Sequence, residues 1–273
     1  MRNNRFSMTI FLAVLILISS WFASLLYQRQ AAGMLHADVV DSDQFRKMQM
    51  SEETLSLLLD APNGMTPGEI LTVCYPFSSG ASGLAPSWMS KNAILSWRRR
   101  LVHDNQNGYL SVKNGYEAVW DDIVCFPVTG TEITFENSWM FERIYGGIRG
   151  HEGTDLMPAE NLSGAFSVVS MTDGAVEKIG WLEQGGYRIG IRSENGGYFY
   201  YAHLDSYARE FAVGELVYAG ERLGMMGDTG YGPEGTRGQF DVHLHVGIYI
   251  RTDLSEETSV NPYWVLRYAQ LLS

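Results

Sequence analysis

Residues 240–250 read FDVHLHVGIYI, and this stretch carries the clearest structural pattern in the chain. Side chains alternate across a β-strand, so every second residue points to the same face. One face is apolar throughout and is expected to be core: Phe240, Val242, Leu244, Val246, Ile248 and Ile250. The opposite face carries His243 and His245, with Asp241 and Tyr249 beside them. Two neighbouring histidines on the non-core face of an apolar strand indicate a functional site.

Short β-rich runs separated by glycine-rich turns precede this strand. The runs are residues 168–171, 175–181, 187–193, 197–204 and 216–219. Of the 29 glycines, 21 lie between positions 146 and 247, and the Glu-Asn-Gly-Gly sequence at 194–197 is a hairpin signal. The pattern predicts an antiparallel β domain over residues 125–273, ending in a helix at 262–272. With the helices expected before it, the fold class is α+β, mainly antiparallel β.

The amino-terminal segment is long and apolar enough to cross a membrane. No charged residue occurs from Phe6 to Gln28, and about 20 helical residues span roughly 30 Å. Arg2 and Arg5 precede the run, which predicts a cytoplasmic amino terminus. Residues 1–27 are therefore assigned to a cytoplasmic stub and a single signal-anchor helix in the cell membrane. A cleaved signal peptide, giving a secreted protein, is the alternative, and either places the remaining chain outside the cytoplasm.

Residues 28–124 are expected to form a linker followed by a small helical module near the membrane. The mixed, polar stretch 28–50 is predicted to be the linker. Ser51 is a helix cap followed by acidic residues, and Thr66 is a second cap. A third helix is predicted over residues 89–102.

Three details of this module are specific enough to be compared with a structure. Pro67 would be the first helical residue after Thr66, and Glu69 would complete a capping box with it. Ser78 to Ser87 reads as a Gly/Ser/Pro loop. The basic triplet at 98–100 suits the carboxyl end of the third helix.

The composition of the 273-residue chain excludes several classes of protein. Acidic residues number 31 and Lys plus Arg 20, which gives a net charge of −11 and argues against a nucleic-acid partner. Hydrophobic residues make up 45%, so the chain is neither disordered nor fibrous. Two cysteines, Cys74 and Cys125, are too few for a disulfide scaffold. They could pair or remain two separate thiols, and the sequence leaves both open.

The remaining histidines of the β domain extend the site. His151 and Asp155 lie in the glycine-rich sequence GIRGHEGTD at 147–155, and His203 follows an aromatic-rich strand. Two histidines and one aspartate are three protein ligands. That is the count of a catalytic zinc site, which keeps its fourth position for water.

These residues resemble the lysostaphin/LytM-type zinc endopeptidases, which cut peptide cross-bridges of bacterial peptidoglycan. The family pattern is His-x-x-x-Asp, a histidine after an aromatic-rich strand, and His-x-His on a later strand. The resemblance covers about residues 125–250 and includes the Tyr-Ala-His-Leu run at 201–204 and the Thr-Gly turn at 229–230. It departs at 242–246, where Val-His-Leu-His-Val replaces the usual Pro-His-Leu-His-Phe, and at the Met-Pro following Asp155.

The resemblance implies a role for each site residue. One Zn²⁺ per catalytic domain would be held by His151, Asp155 and His245. His203 and His243 would stay off the metal as the catalytic pair. Tyr145, six residues before the first ligand, would supply the hydroxyl that steadies the transition state. The implied partner is a peptidoglycan peptide, cut by metal-activated water.

Four alternatives or additions accompany this interpretation. His151-Glu152 mimics the start of a helical His-Glu-x-x-His motif, in which Glu152 would be the general base. Two histidines and one carboxylate also ligate iron in non-haem oxygenases. A membrane-anchored scaffold with a non-catalytic peptidase-like domain is the third alternative. Finally, Asp241 and Tyr249 share the site face and are candidates to orient the ligand histidines.

Overall fold

The computed structural model describes residues 2–62, 64–78, 89–145 and 147–272. Within them, six helices precede a β domain and one helix follows it. The α-helices are α1 (Arg2–Gly33), α2 (Asp43–Arg46), α3 (Glu52–Leu59), α4 (Pro67–Cys74), α5 (Lys91–Asp104), α6 (Gln106–Trp120) and α7 (Tyr263–Leu272). Short 3-10 helices occur at Ala37–Asp41 and Tyr75–Phe77. Apart from Ser78, the loop expected at Ser78–Ser87 lies outside the described residues.

The β domain is built from short antiparallel strands, which confirms the α+β fold class with mainly antiparallel β structure. The strands are β1 (Val128–Thr129), β2 (Ile133–Thr134), β3 (Glu142–Arg143), β4 (Arg149–Gly150), β5 (Thr154–Pro158), β6 (Ser167–Val169), β7 (Gly174–Leu182), β8 (Gly186–Arg192), β9 (Tyr198–Tyr207), β10 (Leu216–Val217), β11 (Arg222–Met226), β12 (Leu244–Ile250) and β13 (Thr258–Val260). The main sheet runs β1-β6-β11-β9-β12-β5-β2, while β8, β7 and β10 extend from β9 and β13 pairs with β12. β3 and β4 form a separate two-stranded ribbon.

The centre of the sheet sets the geometry of the site. β12 lies between β5 and β9, and β9 in turn pairs with β8. The hairpin expected at 194–197 connects β8 to β9. The apolar residues of β12 are fully buried in the core, as the alternation predicts. The other face of β12, β9 and β8 forms the floor of an open cleft.

Phe240 is an exception to the predicted alternation. β12 begins at Leu244, and His243 forms only an isolated bridge with Gly227. Residues 240–242 are not part of a strand, so Phe240 does not follow the alternation and does not point into the core. Its ring instead lies 4.6 Å from the ring of His203 and lines the cleft.

α1 contains one segment long and apolar enough to cross a membrane, Met8–Gly33, with a hydropathy of 2.3. A membrane anchor and a signal sequence both satisfy that description. Its carboxyl end packs into the rest of the protein, because Ala31 and Ala32 are buried. The Asn105 side chain, at the start of α6, donates hydrogen bonds to the Ala32 and Leu35 carbonyls at 2.8 and 2.7 Å.

Residues 28–50 are not the polar linker that their composition predicts. Leu35 and Phe45 are fully buried, and Met48 and Met50 nearly so. The ring of Phe45 packs on Tyr116 of α6, with centroids 4.4 Å apart. The widely spaced apolar residues form no helical or strand period, so the sequence gives no sign that they pack against distant elements.

The helix caps at Ser51 and Thr66 are present as expected. Each side chain accepts a hydrogen bond from the backbone N–H three residues later. The capping box is only half formed, because the Glu69 carboxylate turns away to Arg98 (2.6 Å) and the Tyr109 hydroxyl (3.1 Å). That pairing keeps Arg98 inside α5, which continues to Asp104 rather than ending at the basic triplet.

α6 was not anticipated from the sequence. It contains two glycines and few strong helix formers, and its amphipathic pattern is interrupted. Its buried residues include Tyr109, Tyr116 and Trp120. The predicted domain boundary between residues 124 and 125 falls in the segment that joins α6 to β1. Cys74 and Cys125 are both free thiols, so the separate-thiol alternative holds.

Candidate active site

Three potential metal ligands meet where β12 crosses β5. His245 lies directly opposite Asp155 in the register of these strands. His151 reaches the same point from the loop just before β5. The Nε2 of His151, the Nδ1 of His245 and the Oδ1 of Asp155 lie 3.0 Å from one another. Asp155 is therefore on a strand, not in a glycine-rich loop as its neighbours suggested.

The donor set fits a metal ion. Ligands about 2.0–2.1 Å from a tetrahedral zinc lie about 3.3 Å from each other, close to the spacing observed. In the tautomer that could bind a metal through Nε2, the proton of His151 is on Nδ1, which can donate it to the Ser138 carbonyl at 3.2 Å. The His151 Nε2 then presents a lone pair to the other two atoms. Three electron-rich atoms at this separation suit a shared cation.

The absence of a side chain at Gly153 leaves room for the His245 ring. A Cβ built on Gly153 would lie 2.5 Å from the His245 Nε2 and 2.6 Å from the Val246 carbonyl oxygen. Arg143, on the β3–β4 ribbon, donates to the second carboxylate oxygen of Asp155 at 2.7 Å and also lies 3.1 Å from the His151 Nδ1. Ser138 and Arg143 are supporting residues that sequence reasoning missed, since their positions depend on the folding of this ribbon.

His203 and His243 stand beside the ligand group, with ring centroids 4.7 Å apart. The Nδ1 of His203 lies 2.7 Å from the Thr229 carbonyl, and the Nδ1 of His243 lies 2.7 Å from the Asp241 carbonyl. Each Nδ1 must donate its proton to that carbonyl, which leaves Nε2 free to act on a substrate. The Nε2 of His243 is 3.7 Å from the Asp155 Oδ1.

The backbone at His203 is unusual. Its φ is +61°, in the left-handed region, and the register of β9 shifts on both sides of it. Such a conformation in a non-glycine residue costs about 1–3 kcal/mol and is concentrated at functional sites. The bulge turns the His203 ring towards the cleft, where an ordinary strand would alternate it into the core.

Tyr145 lies beside the site, with Tyr231 between its ring and His203. Its ring stacks on Tyr231, with centroids 4.1 Å apart and planes 3° from parallel. Tyr231 in turn contacts the ring of His203 and is a lining residue of the cleft. Tyr231 was not expected from the sequence. It adopts φ +57° in the glycine-rich turn between β11 and β12.

Burial and neighbouring charges shift the pKa values of the site. Burial alone would raise the pKa of Asp155. Without a metal ion, the ring nitrogens of His151 and His245 can donate hydrogen bonds to this carboxylate, and these outweigh burial and hold its pKa below the usual range. Burial lowers the pKa of His245 despite the nearby carboxylate. It also lowers the pKa of His203 well below its ordinary value, with His243 contributing in the same direction. A neutral imidazole at His203 and a charged carboxylate at Asp155 are the forms required for proton acceptance and for metal binding.

Asp241 and Tyr249, the sequence's candidates to orient the ligand histidines, hydrogen-bond to other groups instead. Asp241 orients His243 through its backbone carbonyl, while its carboxylate accepts from Asn161 at 2.9 Å. Tyr249 donates to the Glu152 carbonyl at 3.4 Å and does not reach a ligand histidine. The segment 151–153 is not helical, which removes the basis for a helical His-Glu-x-x-His motif with Glu152 as base.

The site lies in a cleft of about 670 Å³. Its floor is the open face of β12, β9 and β8, including Tyr200 and Arg188, and the β3–β4 ribbon forms one wall with Arg143 and Arg149. The hydroxyl of Tyr200 would clash with any Cβ at Gly185, so this glycine keeps the floor open.

Comparison with known proteins gives consistent results. The model of peptidase family M23 matches residues 149–262. The crystal structure of a Ruminococcus gnavus ATCC 29149 protein, assigned as the glycyl-glycine endopeptidase lytM, is 44% identical and covers 88% of this chain and 95% of its own, with a TM-score of 0.78. The catalytic domain of lysostaphin, an antimicrobial peptidase of Staphylococcus simulans, is 27% identical and covers 50% of this chain and 92% of its own, with a TM-score of 0.39.

A curated relative, the L-Ala–D-Glu endopeptidase of Bacillus subtilis (strain 168), is 42% identical over 137 residues. The match covers 50% of this chain but only 40% of that protein. The similarity to the Ruminococcus gnavus structure, in contrast, runs through nearly all of both chains, helical module included. On these matches, the chain belongs to peptidase family M23, in its lysostaphin/LytM type.

Proposed function

We propose that the chain is a zinc-dependent endopeptidase that hydrolyses peptide bonds of bacterial peptidoglycan outside the cytoplasm. The observation that carries the proposal is the convergence of three metal-type ligands beside two histidines whose Nε2 atoms are free. His151, Asp155 and His245 would hold one Zn²⁺. When bound, zinc lowers the pKa of a coordinated water towards about 7 and polarises the scissile carbonyl.

The remaining residues of the site would handle protons and orient the substrate. His203 and His243 both keep their proton on Nδ1, so either Nε2 can accept the proton released by the attacking water. That proton then passes to the leaving amine. The second histidine would stabilise the developing oxyanion only with a proton on Nε2 as well as on Nδ1, so that Nε2–H donates a hydrogen bond to it. The Tyr145 hydroxyl is proposed to assist that stabilisation, with Tyr231 fixing its ring by stacking.

The names of the relatives suggest two candidates for the peptide bond that is cut. One relative is named for an L-Ala–D-Glu bond and the other for a glycyl-glycine bond. We propose a peptide of one of these two classes as the substrate. The amino-terminal helix is proposed to hold the domain at the outer surface of the cell membrane, with signal cleavage and secretion as the alternative.

The test measures metal content and hydrolysis separately, using the purified full chain in detergent. We expect one zinc per wild-type chain and release of peptide from purified cell walls. His245→Ala should lose both zinc and hydrolysis. His203→Ala should keep zinc but lose hydrolysis by about 10²–10⁴-fold, the usual contribution of a positioned acid or base. His103→Ala, an exposed histidine of α5, is the matched control and should change neither.

Two results would contradict the proposal. Bound iron in place of zinc would favour oxygenase-type chemistry. Bound zinc without release from any wall would favour a membrane-anchored, non-catalytic scaffold that binds cell wall or a protein partner.

A further inference from the structure

Two arginines of the cleft have no anionic partner among the described residues. Arg149 lies on β4 and Arg188 on β8, and both line the cleft that contains the metal-type ligands. The Nε of Arg149 and the Nη1 of Arg188 are buried and make no hydrogen bond. The other cations of the cleft are paired, Arg143 with Asp155 and Lys178 with Glu257. We call Arg149 and Arg188 the arginine pair.

Leaving the arginine pair without an anion is costly. Both side chains are half-buried, and the one buried nitrogen of each has lost hydration that no hydrogen bond replaces. Arg149 also lies directly opposite Arg143 across the β3–β4 ribbon, and like charges in that position repel. Asp155 pairs with Arg143, whereas among the described residues no carboxylate forms an ion pair within 4.0 Å of Arg149, although Glu152 also lines the cleft. Arg149 therefore lacks an anionic partner, and an anion could reach it through the open cleft.

The arginine pair and Tyr200 of the cleft floor line the same cleft. Arg188 lies beside the bulge of β9 at Ala202 and His203, and Ala202 pairs with His245. Two strand spacings therefore separate Arg188 from His245, about 10 Å, or three residues of an extended peptide.

We propose that the arginine pair binds a carboxylate of the peptide substrate, within three residues of the scissile bond. A guanidinium presents paired N–H donors that match the two oxygens of a carboxylate. A glutamyl residue that continues the peptide through one carboxyl group keeps the other free, whereas a glycine bridge offers none. The inference rests on the proposed function and, of its two substrate classes, selects the glutamyl one.

The experiment compares two synthetic Ala–Glu peptides that differ only in the free carboxyl group, which is a carboxylate in one and a carboxamide in the other. The zinc-loaded full chain should show a roughly 10- to 100-fold higher kcat/KM for the carboxylate peptide. Arg149→Gln and Arg188→Gln should each lose most of this preference, mainly through KM, so that the kcat/KM ratio of the two peptides falls towards 1. Arg222→Gln is the matched control, since Arg222 is exposed on β11 outside the cleft.

A binding measurement separates this inference from the proposed function. Fluorescence anisotropy with the full-length His203→Ala chain gives Kd for both labelled peptides without turnover. If the chain binds the carboxylate peptide more tightly than the carboxamide peptide, and this preference needs the arginine pair, the inference is supported. If the wild type then hydrolyses neither peptide, the proposed function is refuted. Hydrolysis of both peptides at equal rates would refute the inference alone. The inference would also be refuted if the glutamine variants lost kcat/KM equally for the two peptides.

Discussion

At the scale of single residues, Gly153 leaves the space that the ring of His245, a proposed metal ligand, occupies. The space that its Cβ would occupy is filled by the His245 ring and the Val246 carbonyl. Gly153→Ala should therefore displace the imidazole and weaken zinc binding by roughly 10- to 100-fold, the range found when a ligand loses its supporting contacts. Competition with a fluorescent chelator measures the affinity.

Gly33→Ala is the control for that substitution, because a Cβ at Gly33 meets no atom within 4 Å. Unchanged zinc affinity in Gly153→Ala would show that the His245 ring can move without cost, and would contradict the assignment of Gly153 as a spacer.

The sequence predicted that His151, Asp155 and His245 form one group, as the structure has them, but not the residues that contact this group. His243 and His245 are visible because they occupy the non-core face of a strand with a period of two, and His151 with Asp155 because of their spacing. Ser138 lies in the loop between β2 and β3, and Arg143 and Arg188 lie on other strands, so they reach the site only through the folding of the sheet, which no local pattern encodes. Phe240 was misplaced for a related reason, since the register breaks at the bridge between His243 and Gly227.

At the scale of elements, one carboxylate joins two helices. Asp121 ends α6, and its Oδ1 accepts a hydrogen bond from the Gly68 N–H in the first turn of α4 at 2.7 Å. Burial raises the pKa of Asp121 to about 6, although hydrogen bonds from Thr66 and Gly68 oppose the shift. The junction therefore favours a protonated side chain.

The raised pKa predicts a pH effect on stability. Between about pH 4 and 6 the folded chain holds a proton that the unfolded chain has released, so this contribution to the free energy of unfolding falls as pH rises. Asp121→Asn keeps the acceptor oxygen without the charge. Its stability relative to the wild type should rise across that interval and stay level above it, as measured by urea unfolding at several pH values.

Asp253→Asn, at an exposed position, is the control and should leave the shape of the pH curve unchanged. A constant difference between Asp121→Asn and the wild type from pH 4 to 7 would mean that the carboxyl is not perturbed by burial.

The element boundaries were predictable where local chemistry decides them. Ser51, Thr66 and Pro67 set the starts of α3 and α4 by capping, and the Asn-Gly turn sets the β8–β9 hairpin. α6 was missed because its stability comes from burying Tyr116 and Trp120 against other elements, not from helix propensity.

At the scale of the whole molecule, the helices and the β domain share one hydrophobic core. Trp120 of α6 is fully buried and packs against Tyr268 of α7, with ring centroids 5.9 Å apart. Gly197, in the β8–β9 hairpin, packs directly on the Ala118 carbonyl of α6. Asp122 accepts hydrogen bonds from the backbone and side chain of Asn195 at 2.8 Å.

The shared core predicts that the two parts unfold together. Trp120→Ala should lower the free energy of unfolding by about 3–5 kcal/mol, the usual cost of truncating a buried aromatic residue. Helical circular dichroism and zinc release should change in one coincident transition, in the variant as in the wild type. Leu254→Ala, at a residue that is 81% exposed, is the control. Zinc retention after the helical signal is lost would show that the β domain folds alone.

The attachment of α1 has a consequence for where such an enzyme could work. The helix is 32 residues long, about 48 Å, and its end is fixed to α6 through Asn105 without any slack segment between them. If α1 crosses a membrane, the working distance of the cleft from the bilayer is set by the dimensions of the molecule itself. Only wall material laid down beside the membrane would come within range, so geometry alone would limit where the wall is opened.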